Sequence, residues 1–265
     1  MTAPMFPNYA GKHAHKAVFS PAEAVSSWLQ SNDLVIPEGV ILAYQREVLD
    51  HLRACSARSV GGFPAPWRTM WMVERPDRPT VGVVCGFGIG APAAAIVMEE
   101  LIGLGVARFI NIGTAGCLQP GVGFGEIVVC TGAVRDEGLS YHYLPAEKFV
   151  DPTDTMTAGL RRALDRGDLA HRTGTTWTID AAFRETVAEA RSYQAEGVVT
   201  VEMEAAALFA VAQYREVEIA SAFVISDQVL ADTEWRHAFQ SEAVLTASVS
   251  LLEASLDALA QPSSS

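Results

Sequence analysis

Two periods of hydrophobic and polar residues alternate along this chain, and together they predict an α/β protein. Ser20-Pro21-Ala22-Glu23 opens a helix: a hydroxyl cap, proline at the first helical position and a glutamate three residues after the cap. Gly39–Tyr44 is an apolar run of strand length, and Gln45–Ala54 follows with helical spacing. Trp67–Glu74 predicts an antiparallel strand, closed off by Arg75-Pro-Asp-Arg-Pro79. Thr80–Cys85 is apolar throughout, as in a strand covered on both faces. Ala91–Gly105 fits a helix, and Arg108–Ile112 and Glu126–Thr131 are further strands. Strand, helix, strand at this spacing predicts a βαβ unit and a parallel sheet. Downstream come a helix over Asp154–Arg166 stopped at Gly167, a strand over Gly174–Ile179 and a short strand over Val198–Val201. An alanine-rich helix over Glu204–Tyr214, a strand over Ile219–Ile225 and a long helix over Trp235–Ala260 complete the pattern. Residues 1–19 read as an irregular start and 261–265 as a tail, and no linker, repeat or charge run divides the chain. A single domain spanning 1–265 is the economical reading.

Composition narrows the function. With 265 residues, 49% hydrophobic and 19% charged, the chain has the apolar content that disordered chains lack. Nineteen Lys and Arg against thirty-one Asp and Glu give a net charge of −12, which argues against a nucleic-acid partner. A small anionic ligand senses only its local site and is not excluded. Thr80–Met98 carries no charge over nineteen positions, close to membrane-span length. Gly82, Gly86, Gly88, Gly90 and Pro92 interrupt it and Glu99-Glu100 follow, so strand, turn and buried helix explain it better than a span. Cysteines stand at 55, 85, 117 and 130 without a paired motif, and no secretory pattern opens the chain. Both features predict a reduced, cytoplasmic protein. The six histidines give no reason to assign a metal.

Chemistry is suggested wherever polar or small residues interrupt these elements. Gly86-Phe-Gly-Ile-Gly90 follows a strand and opens a helix, where backbone N–H groups and the helix dipole can cradle an anion. It reads equally as a bare tight turn, and GxGxG is not the dinucleotide fingerprint. Asn111-Ile-Gly-Thr-Ala-Gly116 predicts a second small-residue turn at the next strand end, with the Thr114 hydroxyl and N–H on offer. Two such turns at adjacent strand ends would share a pocket. Val201-Glu-Met-Glu-Ala-Ala-Ala207 puts two carboxylates into an apolar segment, which is costly without partners. Residues i and i+2 point about 200° apart on a helix but share a face in a strand. Glu202 and Glu204 therefore reach one site only if a helix begins between them; the alternative is a glutamate facing the helix dipole. Ser226-Asp227 ends an apolar strand, and a carboxyl there suits a general acid or, alternatively, an N-cap. The polar stretches Asp136–Pro145 and Asp180–Thr186 predict loops that either carry function or are simply solvated.

In this order the motifs resemble the nucleoside phosphorylase-I family, which includes purine nucleoside phosphorylases, uridine phosphorylases and methylthioadenosine nucleosidases. The resemblance runs from about Val81 to Asp227 and rests on Gly86–Gly90, Gly113–Gly116, Gly125-Glu-Ile-Val-Val, Ser140-Tyr-His142, Val201–Glu204 and Ser226-Asp227. It implies a single α/β domain around a twisted, mixed, partly barrel-like sheet flanked by helices, assembled as a homo-oligomer: a dimer or a trimer of dimers. The activity implied is phosphorolysis of a nucleoside, purine favoured and uridine possible, with inorganic phosphate as co-substrate and no cofactor. A hydrolytic nucleosidase and a non-catalytic nucleoside-binding member are the alternatives. By resemblance, Met203 packs on the sugar, Glu204 binds its hydroxyls and Glu202 lies nearby. Asp227 protonates the base, while Gly88 and Thr114 bound the phosphate. The chain departs from the family where Leu42-Ala-Tyr-Gln-Arg46 replaces a Pro-Gly-Asp turn and Asn111 replaces an arginine. Arg46, Arg68, or Lys12 and His13 from a neighbouring subunit are candidate substitutes. Phe183 and Arg184 are candidate base contacts.

Overall fold

The computed structural model describes residues 9, 11–31, 35–55, 57–61 and 68–261, and for 27–31 the backbone only. Trp67, the predicted first residue of a strand, lies outside that range, as do most of the irregular start's first ten residues and the tail beyond Gln261. The strands are β1 (Gly39–Ala43), β2 (Arg58–Gly61), β3 (Thr69–Val73), β4 (Val81–Cys85), β5 (Arg108–Cys117), β6 (Ile127–Asp136), β7 (Phe149–Val150), β8 (His171–Ile179), β9 (Thr200–Glu202), β10 (Glu218–Gln228) and β11 (Arg236–His237). The helices are α1 (Pro21–Ser31), α2 (Arg46–Ala54), α3 (Ala91–Gly103), α4 (Asp154–Arg166), α5 (Val187–Ala195), α6 (Ala205–Arg215) and α7 (Glu242–Leu259).

The strands form one mixed sheet in the order β11-β10-β6-β8-β9-β5-β1-β4-β3-β2, with β7 beside β6. β10 also pairs with β5. That extra ladder closes β5, β10, β6, β8 and β9 into a barrel, while β1, β4, β3 and β2 continue as an open sheet. β4 and β5 both run parallel to β1, which lies between them, in agreement with the predicted βαβ unit. Every residue of β1 and β4 is buried because both faces are covered. Val40 and Leu42 meet the layer of α1, α3 and α6; Ile41 and Ala43 meet that of α2, α4 and α7. Thr80–Met98 becomes β4, a glycine turn and most of α3, and among the described residues no helix is long and apolar enough to cross a membrane. Ser20 and Glu23 form the predicted capping box, the Glu23 amide donating to Ser20 Oγ at 3.2 Å and the Ser20 amide to Glu23 Oε2 at 2.6 Å.

The structure corrects several boundaries. Residues 113–116 are not a turn: β5 runs on through Cys117, pairing first with β1, then with β9, and with β10 along its length. Small residues are needed there because the strand passes through a crowded crossing, where a Cβ on Gly116 would lie 2.8 Å from Val229 Cγ2 and 3.0 Å from Val201 Cγ1. β10 likewise continues past Ile225 to Gln228, with a bulge between Ile225 and Asp227. The last helix begins at Glu242, not Trp235; Arg236–His237 instead pairs antiparallel with Asp227–Gln228. The Asp180–Thr186 stretch contains a 3-10 turn, Ala182–Arg184, and leads into α5, which was not foreseen.

Candidate active site

A cavity of about 330 Å³ opens at the barrel end where β9 hands over to α6. β9 ends at Glu202 and α6 starts at Ala205 with Glu204 as its N-cap, so the helix begins between the two carboxylates, and Glu202, Met203 and Glu204 all line this cavity. Glu202 Oε1 accepts from Thr178 Oγ1 at 2.5 Å, and its Oε2 accepts from the amides of Glu204 and Ala205 at 2.8 Å each. Glu202 thus satisfies two otherwise orphaned N–H groups of the helix start, and Thr178 Oγ1 accepts from a third, that of Ala206, at 3.0 Å. Glu204 turns the other way and accepts from the amide of Gly90. Gly90 caps α3 at φ 92°, a left-handed backbone that aims its N–H at the carboxylate. Both glutamates are buried, with 6% and 7% of their surface exposed. Burial raises both carboxyls above the ordinary range; the Glu204 charge pushes Glu202 further up, and the hydrogen bonds oppose the shift.

Asp227 reaches the same cavity from the β10 bulge, a device that re-aims a side chain within a ladder. Its Oδ1 accepts from Ser226 Oγ at 2.8 Å and its Oδ2 from Trp235 Nε1 at 2.9 Å. Asp227 is half-buried, whereas Glu202 and Glu204 are buried. Thr114 lines the cavity from β5, whereas Gly88 does not and its neighbour Ile89 does.

Several of the anticipated residues do not line this cavity from within the chain. Arg46 is 88% exposed and pairs with Asp50 at 3.5 Å. Arg68 is engaged by Glu100. Neither lines the cavity. Phe183 stands fully exposed and Arg184 is exposed beside it, because the 3-10 turn directs Ala182 and the following Glu185 to the cavity instead. Lys12 donates to His142 Nδ1 of its own chain at 2.7 Å, and Lys12 and His13 line a separate cavity with Glu99, Tyr143 and Arg215. Among the described residues no Lys, Arg or His lines the first cavity, and no cluster of three or more His, Cys, Asp or Glu is arranged to hold a metal.

Sequence reasoning missed Tyr44 and Glu185. Tyr44 OH donates to Asn111 Oδ1 at 2.9 Å, and Asn111 Nδ2 donates to Ser221 Oγ at 3.1 Å, a neutral chain running into the core. Phe87 packs edge-on to the Tyr44 ring at 5.1 Å. Burial, reinforced by the Glu204 and Glu202 charges, raises the Tyr44 phenol well above its usual range, so it remains a donor. The signal was an aromatic hydroxyl at the end of an otherwise apolar strand. Glu185 follows Phe183 and Arg184 in the Asp180–Thr186 stretch, and no local pattern in the sequence sets it apart from them.

Residues 68–260 match the Phosphorylase superfamily. Uridine phosphorylase of Treponema pallidum (strain Nichols) is 34% identical over 153 residues, covering 54% of this chain and 59% of that protein. Guanosine phosphorylase of Halorubrum lacusprofundi is 32% identical over 152 residues, covering 57% and 63%. The chain thus spans about three-fifths of the length of these curated relatives. The crystal structure of purine nucleoside phosphorylase from Toxoplasma gondii in complex with immucillin-H superposes with a TM-score of 0.76 at 21% identity, covering 85% of this chain and 91% of that one, and shows the same fold. The family match takes in the βαβ unit, the barrel and every element that lines the cavity except Tyr44 after β1: the chain belongs to the phosphorylase superfamily.

Proposed function

We propose that this chain cleaves the C1′–N bond of a nucleoside with inorganic phosphate as acceptor, giving free base and pentose 1-phosphate, and that purine nucleosides are its preferred substrates. The observation that carries the reading is that Glu202, Met203, Glu204 and Asp227 line one cavity. Its volume suits a small molecule, at the lower end of the roughly 300–1,000 Å³ range of ligand pockets. The relatives above, uridine, guanosine and purine nucleoside phosphorylases by name, support the same activity.

In this reading Glu204 accepts hydrogen bonds from the ribose 2′- and 3′-hydroxyls and Met203 packs against the sugar. Glu202 fixes the backbone that presents both. As the C1′–N bond breaks, its electron pair leaves with the base and positive charge builds on the ribose. Asp227 delivers a proton to N7 of the departing purine, and a phosphate oxygen forms the new bond to C1′. The Thr114 hydroxyl and the Gly86–Gly90 turn bound the phosphate. No cofactor takes part.

One observation favours water as an alternative acceptor. A phosphate dianion would enter a cavity lined by Glu185, Glu202, Glu204 and Asp227, with no cationic side chain among the described residues. A homo-oligomer, a dimer or a trimer of dimers in which Lys12 or His13 of a neighbouring subunit completes the site, would reconcile that lining with phosphate. The reduced cytoplasm is the proposed setting.

The test is incubation with a panel of nucleosides, with and without phosphate. Pentose 1-phosphate that forms only when phosphate is present supports the proposal. Base release indifferent to phosphate moves the assignment to hydrolysis, and nucleoside binding without release moves it to a binding protein.

A further inference from the structure

The end of the cavity near Asp227 holds a second carboxyl with no obvious task. Glu185 lines the cavity beside Ala182, half-buried, and its side chain has no hydrogen-bond partner among the described residues. Its position is fixed on both sides. The 3-10 turn Ala182–Arg184 precedes it, closed by the Arg184 amide on Ala181 O at 2.7 Å. The capping box of Thr186 and Glu189 follows it at the start of α5. Burial pushes the Glu185 carboxyl up to about 7, and the nearby charges of Asp227 and Glu189 add to the push. Asp227 already accepts from Ser226 and Trp235, so Glu185 is the free acceptor at this end.

Two carboxyls line this end of the cavity with no cationic side chain among the described residues that line it, so it presents hydrogen-bond acceptors, and a donor where a carboxyl carries its proton. A base edge that fits such a pair presents one acceptor and one N–H donor side by side. The edge of adenine that carries N7 does so, with N7 accepting and the 6-amino group donating; guanine shows two acceptors there, N7 and O6, and would require a second proton.

We propose that Glu185 is a specificity-determining residue of the base site, its carboxylate accepting from the exocyclic amine of a 6-aminopurine nucleoside while Asp227 faces N7. This rests on the purine reading above and deepens it.

The test compares adenosine, purine riboside, which has the same ring without the 6-amino group, and inosine, using the wild-type chain, Glu185→Ala and Glu185→Gln. The wild type should prefer adenosine to purine riboside in kcat/KM by about ten- to a hundredfold, the worth of one hydrogen bond to a charged group. Glu185→Ala should erase that preference and leave purine riboside within about threefold of wild type. Glu185→Gln, whose amide can donate to O6, should shift the ratio of inosine to adenosine toward inosine. Purine riboside turnover serves as the control for an intact fold. Equal losses on adenosine and purine riboside, or a wild-type preference for inosine, would overturn the role of Glu185 while leaving the purine reading standing. A wild type that cleaves uridine and no purine nucleoside overturns the purine reading itself, and this inference with it.

Discussion

Glu204 is held in a place that resists its charge. Burial favours the protonated form, while the Gly90 amide and the N-terminus of α3 favour the carboxylate. Only the carboxylate can accept from two sugar hydroxyls. Glu204→Gln should therefore lower kcat/KM by about two to three orders of magnitude and leave the melting temperature within a few degrees, measured by steady-state kinetics alongside thermal unfolding. Retained activity per folded molecule would make Glu204 structural. The same ionisation sets a pH dependence. The folded-state value lies above the ordinary 4.5, so stability is highest where the group is protonated in both states and is lost as pH rises toward the raised value. Nucleoside affinity should move the opposite way, tightening as pH rises through neutrality. Melting temperatures at about pH 5.5 and about pH 8 should differ more for wild type than for Glu204→Gln, and a difference unchanged by the substitution would reject the assignment. Glu202, Glu204 and Asp227 were legible in the sequence because carboxylates in apolar runs need a reason. Phe183 and Arg184 misled because residue type says nothing about which side of a short 3-10 turn faces inward.

At the scale of elements, Glu202 acts as a staple between β8, β9 and α6. Removing it leaves the Thr178 hydroxyl and the Glu204 and Ala205 amides without their acceptor in a buried setting. Glu202→Ala should cost about 2–4 kcal/mol, read by denaturant unfolding, because several donors are orphaned together. Thr178→Val removes one donor to Glu202 and also the acceptor of the Ala206 amide, and should cost about 1–3 kcal/mol. A negligible loss in Glu202→Ala would show that water replaces the carboxylate. Helix starts and buried strands were readable because caps and apolar runs are local signals, as at Ser20 and over Thr80–Cys85. The path of β5 through residues 113–116 was not, because glycine and threonine read locally as a turn. What makes them a strand is β10 on one side, more than a hundred residues away in the chain, and β9 at Gly116 on the other. The start of α7 was misplaced for a similar reason: Arg236–His237 is captured by the edge of β10.

Barrel closure governs the whole molecule, and two small residues sit at its tightest crossings. A Cβ on Gly174 in β8 would lie 2.8 Å from Val199 Cβ and closer still to one of its methyl groups. Gly174→Ala should destabilise the fold by about 1–3 kcal/mol through overpacking alone, with kcat retained in the folded fraction. Closure also decides how the molecule opens. β5 has hydrogen-bonded neighbours on both flanks, while β2, at the far edge of the open sheet, has only β3 beside it among the described residues. Amide deuterium uptake should then divide the chain, with Ile110–Ala115 and Ala222–Ile225 exchanging at the slowest rates and Arg58–Gly61 at least about a hundredfold faster. Because Glu202 and Asp227 are carried by barrel strands, they come apart only when the ring does. Loss of turnover in denaturant should coincide with the disappearance of the slow-exchanging amides, after the β2 edge has already frayed.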